Sequence, residues 1–246
     1  AERQFSIRSL GRNLELSFES HEGKVYDIHA SSNPAEEGNP ASWRIWQENI
    51  AATAPLNVET FPRPTEENLF MVIVERDAPP FFWEDFESGT NGWTVGSNNA
   101  NQETVWQLGI PAAGTGPSTG ADRSTRAFTT NLGNYGDNAD IFLRSPAIDL
   151  TRRNFTRATF MMDHYRDADG LGDLFGVRVL RARDGSVLAN IDPGPSVFDT
   201  DWVPLSEDLS SVALGEEIIL EFWFTSDASG DSFSGWSIDN VAIDVR

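Results

Sequence analysis

Three carboxylates stand where a cation could be held. Asp85 and Glu87 lie in the stretch Trp83-Glu84-Asp85-Phe86-Glu87-Ser88-Gly89-Thr90-Asn91-Gly92-Trp93, and Asp239 lies in Gly235-Trp236-Ser237-Ile238-Asp239-Asn240-Val241-Ala242-Ile243. Both stretches read as a short alternating strand with acids at its end and a Gly-Trp pair beside it. Residues two apart in a strand share a side, so Asp85 and Glu87 are expected to point one way and Phe86 the other. Antiparallel all-β domains often bring their first and last strands together, which would set both acids near Asp239. Carboxylates gathered at one strand end need a cation. Hard oxygen ligands suit calcium, which takes six to eight of them, so Asp122, Asn131 and backbone carbonyls are expected to complete the shell. The plainer alternative is a set of solvated acids at strand ends.

Two other acidic stretches invite the same question. Asp167-Ala168-Asp169-Gly170 begins like a calcium-binding loop, but no Glu follows at the twelfth position and strands flank it instead of helices. That stretch, running to Asp173, and the similar Asp227–Asp231 are read as solvated hairpin loops.

Aromatic residues offer a different chemistry. Sugar rings stack their CH groups on exposed aromatic faces while acids, amides and arginines take the hydroxyls. Tyr135 and Tyr165 sit among acids and amides in loop contexts and are expected to be exposed contacts. Trp202 is a further candidate, as is Trp223, which alternates with Phe222 and Phe224 along a strand and for which a core position is the default alternative.

Catalytic constellations are missing from the sequence. There is no Gly-x-Ser-x-Gly, no His-Glu-x-x-His, no phosphate-binding loop and no cysteine. His21, His29 and His164 are the only histidines, and Asp163-His164 is a weak acid/base pair on sequence adjacency alone. A carboxylate pair for glycoside hydrolysis is defined in space and not in sequence, so a polysaccharide-cleaving enzyme is the minor alternative.

The elements that must position these residues are strands. The chain has 246 residues, with 8 Trp and 16 Phe, enough to build a large core. Net charge is −20, which repels nucleic-acid backbones and anionic lipid surfaces and leaves cations and neutral polymers as partners. The longest apolar runs, such as Phe70-Met71-Val72-Ile73-Val74, are far too short to span a bilayer. No signal peptide is evident at Ala1-Glu2-Arg3, and the chain reads as a segment of something longer. Lys24 is the only lysine, so the positive charge is carried by arginine.

Residues 1–79 read as about seven short strands, among them Phe5–Leu10, Leu14–Ser20, Val25–Ala30 and Leu56–Phe61, with a polar loop from Ser31 to Pro40. Trp43 and Trp46, three apart in a strand region, are expected on opposite sides. Arg76-Asp77-Ala78-Pro79-Pro80 is a proline-stiffened linker. Residues 80–246 read as eleven strands, of which 157–162 and 217–224 are long and apolar enough to be central. The expectation is a small sandwich followed by a larger antiparallel jelly roll.

Two resemblances carry this further. The segments FSIRSL, LELSFES, HEGKVYDIHASS, WRIWQENIAAT and NLFMVIVE resemble a fibronectin-III-like module of secreted bacterial proteins, departing from it at Phe18 and in the insert Asn33–Ser42. Such a module implies a spacer or docking surface. The series DFESGTNGW, W…LGIP…GTGPSTG, NLGNYGDNADIFLRSPAIDLT and FTSDASGDSFSGWSIDNVAI resembles a MAM-like jelly roll. That is the concanavalin-like sandwich appended to secreted bacterial metallopeptidases and polysaccharide-active enzymes. The resemblance implies core positions for Trp93, Trp106 and Trp236 and a structural calcium, and the lack of cysteine favours the bacterial type. Together these readings predict a secreted, non-catalytic accessory pair binding a polysaccharide or surface glycan. The rival is a protein-docking, adhesion or spacer module that engages a partner such as the parent chain's catalytic domain, which an apolar patch on the first unit would favour.

Overall fold

The structure, a computed structural model, describes residues 5–246 except 38, 67, 101, 102, 196, 197 and 231. The chain divides into two compact units, Ala1–Pro79 and Pro80–Arg246.

Among the described residues the first unit has six strands, one fewer than the seven or so expected: β1 (Phe5–Leu10), β2 (Asn13–Glu19), β3 (Lys24–Ser31), β4 (Arg44–Ala51), β5 (Leu56–Pro62) and β6 (Phe70–Asp77). They form two antiparallel three-stranded sheets, in the orders β1-β2-β5 and β4-β3-β6. Alternation puts Leu16 and Phe18 of β2 inside, where Phe18 meets Tyr26 of β3 edge-on at 5.1 Å. Trp46 of β4 meets Phe61 of β5 in the same way at 5.2 Å, so aromatic pairs join the two sheets. Trp43 precedes β4 and is buried, while Trp46 is half-buried. The polar insert holds two short helical turns, Pro34–Glu37 and Pro40–Ser42, where a plain loop was expected.

The second unit is a two-sheet sandwich. One sheet contains β7 (Phe82–Glu84), β9 (Trp106–Gly109), β10 (Ala127–Thr130), β13 (Ala158–Asp167), β16 (Val203–Asp208) and β18 (Gly235–Val245), ordered β16-β13-β18-β10-β9. The other contains β8 (Thr94–Ser97), β11 (Asp140–Arg144), β12 (Ile148–Asp149), β14 (Leu174–Arg181), β15 (Val187–Ile191) and β17 (Glu217–Thr225), ordered β15-β14-β17-β11-β8, with β12 also on β17. Every pairing is antiparallel, as expected of a jelly roll. The core between the sheets is aromatic. Trp236 stacks on Phe175 at 5.0 Å and lies 5.8 Å from Trp106, and Phe86 meets Phe128 edge-on at 4.9 Å. Trp93, Trp106 and Trp236 are all buried there.

First and last strands of this unit do meet. Phe82, Trp83 and Glu84 of β7 pair with Ile243, Ala242 and Val241 of β18. The strand ends at Glu84, however, so Asp85 and Glu87 are not strand neighbours on one side. Phe86 takes a left-handed backbone (φ 57°) and is fully buried, turning the chain inward. The Glu84 carboxylate fixes this turn by accepting the Phe86 N–H at 2.9 Å and the Asn91 amide at 3.0 Å.

Candidate functional site

The predicted metal residues converge in part, on the loop at 120–126. Asp239 lies on β18, fully buried, and its Oδ2 accepts the Ala121 N–H and the Ser124 hydroxyl, each at 2.8 Å. Its Oδ1 accepts the Asn240 N–H at 2.8 Å. Glu87 holds the far side of the same loop, its Oε1 accepting the N–H groups of Thr125 (2.8 Å) and Arg126 (2.6 Å). Asp122 stands at the loop's tip in a left-handed conformation (φ 50°). A glycine is required at 120, since a Cβ there would lie 2.0 Å from the Ser124 hydroxyl and 2.2 Å from the Arg126 carbonyl.

Two residues do not join this group as expected. Asp85 accepts the Glu87 N–H at 3.1 Å and serves the turn. Asn131 follows β10, whereas the loop precedes it, so four strand residues, about 13 Å at 3.3 Å each, separate the two. Its side chain instead closes another loop, accepting the Val105 N–H at 2.9 Å and donating to the Glu103 and Asn134 carbonyls. Among the described residues, no three His, Cys, Asp or Glu side chains gather closely enough to hold a metal ion. Here the acids act first as acceptors for backbone amides.

Asp163 of β13 stands opposite Asp239 in register, at a bulge after Met161, and its Oδ2 accepts the Asn240 amide at 2.8 Å. Burial drives the Asp163 carboxyl above its ordinary range, Asp122 adds to the rise, and the Asn240 hydrogen bond opposes it. Burial likewise pushes Asp239 up to about 6 against three hydrogen bonds. Asp163 forms one wall of a cleft of about 490 Å³ that Asp122, Arg123, Asp201, Trp202 and Pro204 also line. A recess of about 200 Å³, lined by Gly116, Pro117 and Tyr165, continues it and shares Thr119, Asp201 and Trp202. Trp202 meets the Tyr165 ring edge-on at 6.1 Å and is half-buried. The groove thus offers one indole face, three carboxylates and a guanidinium, a set suited to stacking a sugar ring and binding its hydroxyls.

The tyrosines are a correction. Tyr135 is 2% exposed and Tyr165 8%, so neither is an open contact. The Tyr135 hydroxyl donates to Asp173 and accepts the Asp169 N–H at 3.2 Å, while Asp173 accepts the Asp227 N–H at 3.0 Å. The two acidic stretches expected to be separate solvated hairpins are therefore tied together around a buried phenol. Asp231, the last acid of the second stretch, lies outside the described residues.

His164 does not pair with Asp163. Successive strand residues face opposite ways, and His164 is 1% exposed, its Nδ1 accepting the Trp236 indole N–H at 3.3 Å. Burial, aided by Arg166, pushes its imidazole down to about 4. It is a neutral core residue.

No family model matches the chain. Bacillopeptidase F of Bacillus subtilis is similar at 29% identity over 178 residues, which is 72% of this chain and 11% of that protein. Among solved structures, a carbohydrate-binding module, TmCBM61 in complex with β-1,4-galactotriose, aligns with a TM-score of 0.47 at 14% identity, covering 69% of this chain and 100% of its own. The K1 cleaved adhesin domain of Lys-gingipain from Porphyromonas gingivalis W83 aligns with a TM-score of 0.42 at 16% identity, covering 67% of this chain and 98% of its own.

Proposed function

We propose that this chain is a non-catalytic accessory pair of a larger secreted hydrolase, and that its jelly roll binds a neutral polysaccharide or surface glycan in the Trp202 groove. The observation that supports this most is the groove itself, where a half-exposed indole is flanked by Asp122, Asp163, Asp201 and Arg123. An aromatic platform rimmed by hydroxyl-binding groups is how proteins hold sugars without reacting with them. His164, beside Asp163 in sequence, faces the core and does not enter the groove. Affinity electrophoresis against neutral plant, algal and bacterial polysaccharides tests this reading. Retardation by at least one polymer, lost in Trp202→Ala and without release of reducing ends, is expected; release of reducing ends would make the chain an enzyme.

In this reading the second unit is MAM-like, the first is a fibronectin-III-like spacer, and calcium binds at the loop corner. Since no three acidic side chains gather there among the described residues, at most two of Glu87, Asp122, Asp163 and Asp239 would contribute oxygens, with backbone carbonyls and water completing the shell; Asn131 and Asp85 are committed elsewhere. A cation would also offset the repulsion by which Asp122 helps raise Asp163 and Asp163 helps raise Asp239. Calcium should raise the melting temperature of the second unit, because a ligand bound only to the folded state stabilises it. An unchanged melting temperature with calcium or chelator removes the metal from the proposal.

A specific observation favours a second reading, docking to protein. The first unit exposes Phe5, Ile7, Leu56, Val58 and Phe70, each more than 40% accessible, and has an apolar cleft lined by Phe5, Phe18, Met71 and Ile73. Phe5 and Phe18, paired across β1 and β2, line the cleft together, and exposed apolar surface at such a cleft can mark an interaction site. Similarity to a stretch of a large peptidase fits a module that steers such an enzyme to its target. Failure of every polysaccharide to retard the protein would make this the leading reading.

A further inference from the structure

The sheet β15-β14-β17-β11-β8 carries a second constellation on its outer face, opposite in charge to the groove. One cross-strand row reads Gly96, Phe142, Trp223, Gly176. The next reads Thr94, Arg144, Glu221, Arg178, Asn190. The two glycines let the rings lie flat: a Cβ at Gly96 would come within 2.2 Å of the Phe142 ring, and one at Gly176 within 3.0 Å of Trp223. The arginines stack over those rings, Arg144 at 4.4 Å from the Phe142 centroid and Arg178 at 5.0 Å from that of Trp223. Glu221, whose side chain is 5% exposed, holds both: its Oε2 accepts Arg144 Nε at 2.7 Å and its Oε1 accepts Arg178 Nη1 at 2.8 Å.

Two guanidiniums on one nearly buried carboxylate leave one positive charge in excess, on a chain whose net charge is −20. Pinned by Glu221 and by the rings beneath, both guanidiniums are held in place before any ligand arrives. Among the described residues Arg144 Nη1 and Arg178 Nε and Nη2 make no other hydrogen bond, so N–H donors remain for an outside acceptor. Asp140, one row beyond the aromatics, already accepts the Asn98 amide at 2.9 Å. A planar fork of fixed donors fits a carboxylate, and the uncovered part of the Trp223 ring fits the CH face of a sugar. We propose that the Phe142–Trp223 row and the Arg144–Glu221–Arg178 clamp form a second glycan site, selective for sugars bearing a carboxylate, that is, a uronate-containing polysaccharide. It goes beyond the groove reading and does not depend on it.

Calorimetric titration of the full chain with polygalacturonate, and with a neutral galactan as reference, tests the proposal. Wild type should bind polygalacturonate, more weakly as salt rises. Arg144→Lys with Arg178→Lys keeps both charges and their attraction to Glu221 but loses the planar fork and the stacking. It should weaken polygalacturonate binding roughly tenfold or more, with neutral binding unaltered and the melting curve retained. Trp202→Ala should leave polygalacturonate affinity unchanged whether or not the groove binds neutral sugar. The proposal is overturned if wild type ignores polygalacturonate, if the double variant binds it as well as wild type does, or if Trp202→Ala alone abolishes its binding. An equal affinity in the double variant would mean that the clamp only fastens the sheet.

Discussion

The two faces of the jelly roll present the same ring in opposite surroundings. Trp202 stands in a groove walled by Asp122, Asp163 and Asp201, while Trp223 lies under Arg178 on the open face of the other sheet. The contrast teaches that a net charge of −20 describes the chain and not its sites. Carboxylates crowd at loop ends, where backbone amides can hold them. Arginines instead collect on the flat sheet face, where a single buried carboxylate and two aromatic rings hold them still.

The sharpest way to break this comparison is to remove what both faces share. Trp236 is fully buried and touches Trp106, Phe175 and Phe222 between the sheets. Trp236→Ala should cost the second unit about 3–5 kcal/mol and abolish binding at both faces together; thermal melts and both titrations check this. Loss at one face only would mean that the faces do not share one cooperative core.

A smaller effect lies directly beneath. His164 titrates at about 6.5 when unfolded and about 4 when folded. Its folded value is depressed, so its full contribution is present above pH 6.5 and is lost as pH falls toward 4, reaching on the order of 3 kcal/mol. In denaturant melts from pH 7 to 4, wild type should lose about that much more stability than His164→Gln, which keeps an acceptor for the Trp236 N–H. An unchanged pH dependence in the variant would remove His164 as its source, because the raised Asp163 and Asp239 carboxyls stabilise the fold as pH falls and so give a slope of the opposite sign.

Tyr135→Phe comes next. It removes the donor to Asp173, 3% exposed, and the acceptor of the Asp169 N–H. It should cost about 1–3 kcal/mol, while both titrations stay as they were, because this knot lies in neither face. Smallest in stability is Trp202→Ala. A half-exposed ring should leave the melting temperature within about 2 °C and lower neutral-glycan affinity roughly thirtyfold.

Much of the frame was legible in the sequence. Each of the eleven segments expected after residue 80 contains or overlaps a strand of the structure, because alternation and turn residues are local signals. The two-residue β12 was too short to signal. The meeting of β7 with β18 was also legible, but the left-handed Phe86 was not, and it converts a strand of acids into a turn. Tyr135 and Tyr165 read as exposed because their neighbours in sequence are polar; their neighbours in space are Phe224 and Asp173 for one and Trp202 for the other. Asn131 was misplaced because strand β10 intervenes. The arginine clamp was missed altogether. Its one local hint is Glu221 two residues before Trp223 in an otherwise apolar strand, and the glycines that seat the rings become partners only once register is known.

The measurement that bears most directly on the central claim is affinity electrophoresis of wild type and Trp202→Ala through neutral polysaccharide gels, with the gel polymer assayed for new reducing ends. Retardation of wild type, its loss in the variant and no new ends are the expected result. Equal migration of both proteins through every polymer, or new reducing ends, would contradict a sugar-binding groove without catalysis.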